Sequence, residues 1–322
     1  MKAIRVEASG GPEVLRIADV QDPVAGPNEA LIKVEAVGVN FIEVYQRTGL
    51  YPTQMPMRPG SEAAGTVIAL GGASPEFRVG DRVAWQGAPG AYAEKASVPV
   101  DRLVKIPDGV STDQAAAVML QGMTAHYLAT STYPLKPGDT CLFHAAAGGV
   151  GLLFCQIASR LGARVIGTTS TPEKAALAKE AGAWEVIDYT KQDFHTEVRR
   201  LTNGAGVSVV YDSVGKTTWE KSIDCLSPLG MVVFFGNSSG PVPPLDPMLL
   251  GRKGSLYMSR PILGHYIASR NDLLLRANAV LNGVASGQLK VRIEKTFPLA
   301  DAGAAHALLE SRKTAGKILL KP

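Results

Sequence analysis

Cysteine is scarce in this chain of 322 residues: Cys141, Cys155 and Cys225 are the only three. They lie far apart, show no C-x-x-C spacing and supply neither a disulfide framework nor a zinc cluster, which fits a reducing cytosol. The five histidines, His126, His144, His195, His265 and His306, make no pair at metal spacing and read as structural. No run approaches 18 apolar residues, and the start, MKAIRVEASG, carries Lys2, Arg5 and Glu7 where an export signal would be apolar, so a soluble, unexported cytoplasmic protein is expected. Despite a net charge of +4, basic residues never run longer than two, so no nucleic-acid stripe forms. Internal repeats and low-complexity segments are also missing.

What remains is an ordinary globular balance, 46% hydrophobic and 19% charged, in a chain long enough for two domains. The first 110 residues are short β-branched or alternating runs, such as EALIKVEAVGV (29–39), GTVIAL (65–70) and DRVAW (81–85), broken by Gly and Pro. That rhythm predicts an all-β module. GGASPEF and GAPGAY read as its turns, the second expected near a ligand because its small residues allow close backbone approach.

From Ser111 the pattern becomes helical, STDQAAAVMLQGMTAHYLAT, with Ser111 or Thr112 as the cap. Apolar strands then alternate with helices: TCLFHAA, RVIGTTS, WEVIDY, VSVVYDSVG and MVVFFGNSS. The clearest helix is TPEKAALAKEAG, with Thr171 as N-cap, Pro172 at the first helical position and Gly182 past the end. Strand, helix, strand in succession predicts a parallel, doubly wound sheet. Beyond Arg260 come helices over about 271–286 and 300–311, a strand in KVRIEKTFPL and a last strand in KILLKP; this tail either extends the sheet or returns to the first module.

CLFHAAAGGVGLLFCQIASRLG sets a strand, a glycine turn and a helix in the order a dinucleotide needs. Ala146, Gly148 and Gly151 hold the three small positions of G-x-G-x-x-G, so the backbone can meet the pyrophosphate and the helix can lie against the strand. About twenty residues on, where NAD enzymes carry a carboxylate, the chain reads GTTSTPEK. Ser170 and Thr171 offer hydroxyls and Lys174 a cation for a 2′-phosphate, which favours NADPH; Glu173 lies inside the helix and serves its N-terminal dipole.

Taken with AVGVNFIEVYQRTGLYP (36–52), RPGSEAAGTV (58–67), GDRVA (80–84), AGAWEVIDY, VVYDSVG, FGNSSG and GSLYMSRP, the chain resembles a medium-chain dehydrogenase/reductase, most of all the zinc-free quinone oxidoreductase branch that includes zeta-crystallin. The resemblance implies an α/β fold in which a Rossmann doubly wound parallel sheet (123–262) is inserted in a GroES-like β-barrel catalytic domain (1–122 and 263–322). It also implies a homodimer with paired Rossmann sheets. It places Asn40 and Tyr45 beside the nicotinamide, and Ser170, Thr171, Lys174, Tyr189 and Arg312 near the adenosine phosphate. Tyr127, Gly148, Gly149, Val150, Ser213, Phe235, Gly236, Asn237, Ser238, Ser259 and Arg260 fall along the cofactor. Tyr189 as a plain strand-end aromatic and Arg312 as an ordinary surface cation remain open alternatives.

Zinc alcohol dehydrogenases of the superfamily hold their metal with a cysteine after a Gly-Val pair and a histidine in Gly-His-Glu. Here those positions read Gly38-Val39-Asn40 and Gly60-Ser61-Glu62, so no metal is expected and Glu62 reads as a structural carboxylate paired with a cation. Without a Lewis acid, simple alcohols are poor substrates. A quinone is easier, because hydride addition leaves a phenolate-like oxygen of conjugate-acid pKa ~10 rather than an alkoxide near ~16. The expected chemistry is hydride transfer from NADPH to a quinone in the cleft between domains, with Tyr45 donating to the quinone oxygen, Asn40 orienting and solvent completing protonation; one-electron reduction fits the resemblance equally. The rivals are an NADPH-dependent alkenal or enone reductase and, in another class, a crystallin-like structural or RNA-binding protein.

Overall fold

In the computed structural model, which describes all 322 residues, β1 (Lys2–Arg5) pairs antiparallel with β2 (Arg16–Asp19). The alternating run 29–39 becomes β3 (Glu29–Val39), the longest strand, and α1 (Phe41–Arg47) follows it after one residue. Next come β4 (Glu62–Leu70), β5 (Arg82–Gln86), β6 (Lys95–Pro99), β7 (Leu103–Lys105) and α2 (Thr112–Tyr127). Ser111 is the cap of α2: its hydroxyl accepts from Gln114 N–H at 3.1 Å while the Gln114 side chain accepts from Ser111 N–H at 3.0 Å.

The alternating part begins with β8 (Thr140–Phe143), α3 (Gly149–Arg160), β9 (Arg164–Thr169), α4 (Pro172–Glu180) and β10 (Glu185–Asp188). It continues through α5 (Phe194–Leu201), β11 (Val207–Asp212), α6 (Trp219–Asp224), β12 (Leu226–Phe234), α7 (Met248–Arg252) and β13 (Tyr257–Ser259). The chain ends with α8 (Leu263–Tyr266), α9 (Arg270–Ala285), β14 (Ile293–Pro298), α10 (Ala302–Glu310) and β15 (Lys317–Lys321). No helix is long and apolar enough to cross a membrane.

The chain divides into two units, Met1–Met123 with Ile267–Pro322, and Thr124–Tyr266. In the first, a seven-stranded sheet runs β14-β15-β3-β4-β5-β7, with β6 also on β3. The tail therefore returns to the first module: β15 lies antiparallel on β3, with Ile318 opposite Val39. Its core gathers Ile32, Val67, Trp85, Tyr92, Leu103 and Leu320, each worth about 1.5–3 kcal/mol once buried. The GAPGAY turn packs on its own chain, Gly87 N–H on Ser61 O and Ala91 N–H on Gly60 O. Gly87 and Gly90 take positive φ, +99° and +88°, which the turn itself requires.

The second unit holds six strands in the order β10-β9-β8-β11-β12-β13, every pair parallel. Counted within the unit this is 3-2-1-4-5-6, the doubly wound order whose topological switch lies between β8 and β11. Parallel strands are covered on both faces, which explains their near-continuous apolar sequences: Leu142, Ile166, Val210 and Val232 are fully buried.

Candidate active site and cofactor cradle

At the switch point, β8 ends in His144 and the turn to α3 begins. Ala145, at φ +56°, donates its N–H to Thr168 Oγ1 at 3.3 Å, and Ala146 N–H reaches Thr168 O at 3.0 Å. A Cβ on Gly151 would stand 2.6 Å from both Ala145 O and Ala146 O, so only glycine lets α3 start this close to the turn. A Cβ on Gly148 would meet only Ala145 O, at 3.1 Å, leaving an open concave face. Gly148 provides no side-chain cap, so the first amides of α3, at Gly149, Val150 and Gly151, remain for an anion.

A buried chain of hydrogen bonds supports this turn from beneath. His144 Nδ1 is 3.0 Å from Thr168 Oγ1 and Nε2 is 3.0 Å from Ser222 Oγ, which in turn donates to Asp212 Oδ2 at 2.8 Å. Burial lowers the His144 pKa, so the ring is neutral. Because Ser222 gives its proton to Asp212, Nε2 must carry the ring hydrogen and Nδ1 must accept from Thr168, whose oxygen is then free to accept from Ala145 N–H. Asp212 Oδ1 accepts from Val214 N–H (2.7 Å) and Gly215 N–H (2.9 Å), fixing the turn after β11 as well. Nothing in the local sequence marks Thr168, Asp212 and Ser222 as partners of His144.

The other predicted cofactor residues of this unit fall on the same carboxyl edge. Thr171 caps α4, accepting from Lys174 N–H at 3.2 Å, with Ser170 just before it and the Lys174 side chain in the first turn. Tyr189 N–H bonds Thr169 O at 3.1 Å, so its half-exposed ring stands beside that strand end. Thr169 itself is buried, and its Oγ1 has no partner, a polar atom left over where a nucleotide phosphate would lie. Glu173 is already engaged: its own N–H and the Thr171 hydroxyl hold its carboxyl below the usual range.

On the far side of the switch, Ser238 N–H meets Ser213 O at 3.1 Å and Phe235 N–H meets Asp212 O at 2.9 Å, so Ser213, Phe235, Gly236, Asn237 and Ser238 form one rim. Ser259 ends β13 opposite Val233, and Arg260 follows, exposed. Tyr127 is buried, with one ring face stacked on Tyr266 at 4.2 Å and 10°. Arg312 stands in the first unit, exposed, at φ +58° after α10.

In the first unit, Asn40 sits between β3 and α1 at the N-cap position, only 4% exposed. Its Nδ2 donates to Glu62 Oε2 (2.8 Å) and Gly38 O (3.3 Å), and its Oδ1 accepts from Lys317 Nζ at 2.7 Å. Lys317 also pairs with Glu62, and both are fully buried; it is the cation that Glu62 was expected to have. Glu62 Oε1 accepts Leu120 N–H at 2.6 Å. One turn into α1, Glu43 reaches back to Asn40 N–H (2.9 Å, Oε2) and takes Ser61 N–H (3.2 Å) and Ser61 Oγ–H (2.9 Å) on Oε1. Burial pushes the Glu43 carboxyl up to about 7, against the opposing pull of Lys317.

Tyr45 lies on α1 with its ring 5.1 Å from Tyr51 and 6.0 Å from Phe41. The structure thus clusters Asn40 with Ser61, Glu62, Glu43 and Lys317, the last two missed from sequence. Glu43 was signalled by the capping pattern Asn-x-x-Glu (40–43). Lys317 had no local signal, being 277 residues from Asn40.

These residues do not fit a catalytic zinc. The two positions that would carry its ligands offer a neutral amide and a hydroxyl, both already bonded within the cluster, and no three His, Cys, Asp or Glu side chains stand together elsewhere. The cradle at Gly148 and the unpartnered Thr169 hydroxyl do fit a phosphorylated dinucleotide.

Residues 26–108 match the alcohol dehydrogenase GroES-like domain, and residues 149–274 match the zinc-binding dehydrogenase family. A quinone oxidoreductase of Pseudomonas aeruginosa is 48% identical over all of this chain and 99% of its own. A 2-haloacrylate reductase of a Burkholderia species is 41% identical over 98% of each chain. The crystal structure of Escherichia coli quinone oxidoreductase complexed with NADPH superposes with a TM-score of 0.98, at 44% identity and complete coverage of both chains. The chain belongs to the quinone oxidoreductase branch of the medium-chain dehydrogenase/reductase superfamily.

Proposed function

We infer that this protein is an NADPH-dependent quinone reductase that works without a metal. The observation that carries the reading is the replacement of the metal-ligand pair by Asn40 and Ser61, both bonded inward, in a chain 45–48% identical over its length to quinone oxidoreductases. NADPH, when bound, supplies the hydride. The first amides of α3, with Gly148 and Gly149, would hold its pyrophosphate; Ser170, Lys174 and Tyr189 would hold the adenosine phosphate; Gly236, Asn237, Ser238, Ser259 and Arg260 would line its length. Tyr45 donates a hydrogen bond to the quinone oxygen, where conjugation has already lowered the charge to be stabilised. Asn40, whose amide is engaged with Glu62 and Lys317, acts by fixing the electrostatics of that side.

NADPH oxidation by the chelator-treated protein, followed at 1,4-benzoquinone, a naphthoquinone and a 2-alkenal with NADH in parallel, tests this. Quinone turnover with a clear NADPH preference is expected; equal use of NADH would remove Ser170 and Lys174 from the cofactor site. The identity with the 2-haloacrylate reductase supports a second reading, hydride delivery to an activated alkene, which the alkenal arm measures.

The protein forms a homodimer by pairing its six-stranded sheets edge to edge. Support comes from β13, the outermost strand, which exposes Tyr257 (58%) and Met258 (47%), with Ile262 (55%) close behind. Sedimentation analysis of a Met258→Lys variant should then show a monomer. Three free, buried cysteines support a reducing, cytoplasmic setting.

A further inference from the structure

We propose that Glu43 and Ser61 form a proton relay in which the Ser61 hydroxyl protonates the reduced acceptor and Glu43 stores the proton that replaces it. The proposal rests on the quinone-reductase reading above. Its basis is the charge balance of the buried cluster. Glu43 and Glu62 are both fully buried with one ammonium, Lys317, while the buried Arg47 guanidinium is matched by Glu310 at 2.8 Å and leaves the count unchanged. That ammonium bonds Glu62 and Asn40, not Glu43. Two ionised carboxylates against one cation would leave an unpaired buried charge, which is costly, so one proton resides in the cluster.

Glu43 is the group that carries it. Glu62 has the ammonium, the Asn40 amide and Leu120 N–H, whereas Glu43 has two backbone N–H groups and one hydroxyl. The groups facing it are Lys317 from β15, Glu62 and Ser61 from the β4 side, and Tyr92 after β5, with Arg47 on its own helix. Tyr92 is itself held neutral by burial, so it adds no charge at neutral pH. Within the cluster Asn40, Glu43, Glu62 and Lys317 are 4% exposed or less, and Ser61 alone is partly exposed. With the stored proton on Glu43 Oε1, the 2.9 Å bond runs from the carboxyl to Ser61 Oγ, and the Ser61 O–H, turned away from Glu43, is the cluster's outlet.

The step balances as follows. With the hydride on the acceptor, a quinone has become a hydroquinone anion. The Ser61 O–H bond breaks as an O–H bond forms on the anion's oxygen, and the Glu43 O–H bond breaks to restore the serine hydroxyl. Once product leaves, the Glu43 carboxylate regains a proton from solvent through Ser61. Ser61 is the catalytic residue here and Glu43 acts through it.

The test compares wild type, Ser61→Ala, Ser61→Thr and Glu43→Gln in NADPH-dependent reduction of 1,4-naphthoquinone from pH 5.5 to 9, with solvent deuterium isotope effects, NADPH binding by nicotinamide fluorescence, and infrared titration of the carboxylic acid band. In wild type, turnover should fall about tenfold per pH unit above pH ~7, as expected for loss of a general acid. Ser61→Ala and Glu43→Gln should lose the pH dependence and the isotope effect and drop roughly 10²-fold in kcat, Ser61→Thr should recover most of it, and NADPH affinity should hold within about twofold. The infrared band should disappear in Glu43→Gln and titrate near neutral pH in wild type, whatever the activity. An active wild type whose pH profile and isotope effect survive both Ser61→Ala and Glu43→Gln would overturn the relay alone, as would an infrared titration showing Glu43 ionised at pH 6. A wild type that reduces no quinone would overturn the functional reading and the relay with it.

Discussion

Replacing Lys317 by methionine tests the buried cluster most directly. Methionine has nearly the length and shape of the lysine stem, so the change removes charge and hydrogen bonds with little loss of packing. Glu62, fully buried, would keep Asn40 Nδ2 and Leu120 N–H but lose its only cation, and Asn40 Oδ1 would lose its donor. Breaking a buried pair from one side costs about 3–5 kcal/mol, which for a unit of this size corresponds to a Tm lower by roughly 6–20 °C. Removing both partners, Lys317→Met with Glu62→Gln, should recover more than half of the loss, since no charge is then left unpaired. Urea and thermal unfolding of the two variants give these numbers. A Lys317→Met deficit below about 1 kcal/mol, the value of an exposed pair, would show that the cluster is hydrated and would refute the reasoning.

Lys174→Ala should raise the NADPH KM roughly tenfold, about 1.4 kcal/mol, and leave NADH unchanged, because only the 2′-phosphate distinguishes the two. Tyr45→Phe should lower quinone kcat by roughly tenfold without altering NADPH binding, the loss of one donor to a weakly charged oxygen; unchanged kinetics with several quinones would remove the hydroxyl from the mechanism. His306 is buried against Tyr92 OH (3.0 Å) with Nδ1 unpartnered, and burial, with Arg47 adding to it, lowers its pKa to about 3. The unfolded chain therefore binds more protons between pH ~6.5 and ~3, so stability falls as pH falls through that window. His306→Gln should flatten the acid side of a stability-against-pH curve. Glu43, raised from 4.5 to about 7, slopes the other way: its contribution is present below the unfolded value and is lost as pH rises through the folded one, so Glu43→Gln should flatten the curve between pH ~4.5 and ~7.

The sequence was most legible where structure is local. The helix after β9 begins at Thr171 and Pro172 and is followed by Gly182 at φ +101°, because capping and helix termination are decided within a few residues. The parallel, doubly wound sheet followed from the alternation of apolar strands with helices. The glycine turn was readable for the same reason: Gly151 answers to atoms five and six residues away. The cluster around Asn40 was half legible. The replaced ligand positions announce an absence, but what fills the space comes from β15 at the other end of the chain, and no local pattern encodes a pairing between Asn40 and Lys317. In GAPGAY the turn was legible but its neighbour was not: the small residues pack on the chain's own Pro59–Ser61 segment, more than twenty residues earlier.

The two buried polar networks solve different problems, and the difference explains which of them can carry chemistry. Beneath the cofactor turn, His144 is neutral and Asp212 collects two backbone amides and the Ser222 and Thr218 hydroxyls, so every proton in that chain has one fixed place. Such a network holds geometry and resists exchange. Around Asn40 the count of carboxylates exceeds the count of ammonium groups, and the excess is met by a proton with a partly exposed hydroxyl next to it. A chain that lost its metal ligands and kept an apolar filling there would be stable and inert. This one keeps a charge imbalance facing outward through Ser61, suited to finishing the reduction of an acceptor whose oxygen needs a proton more than it needs a Lewis acid.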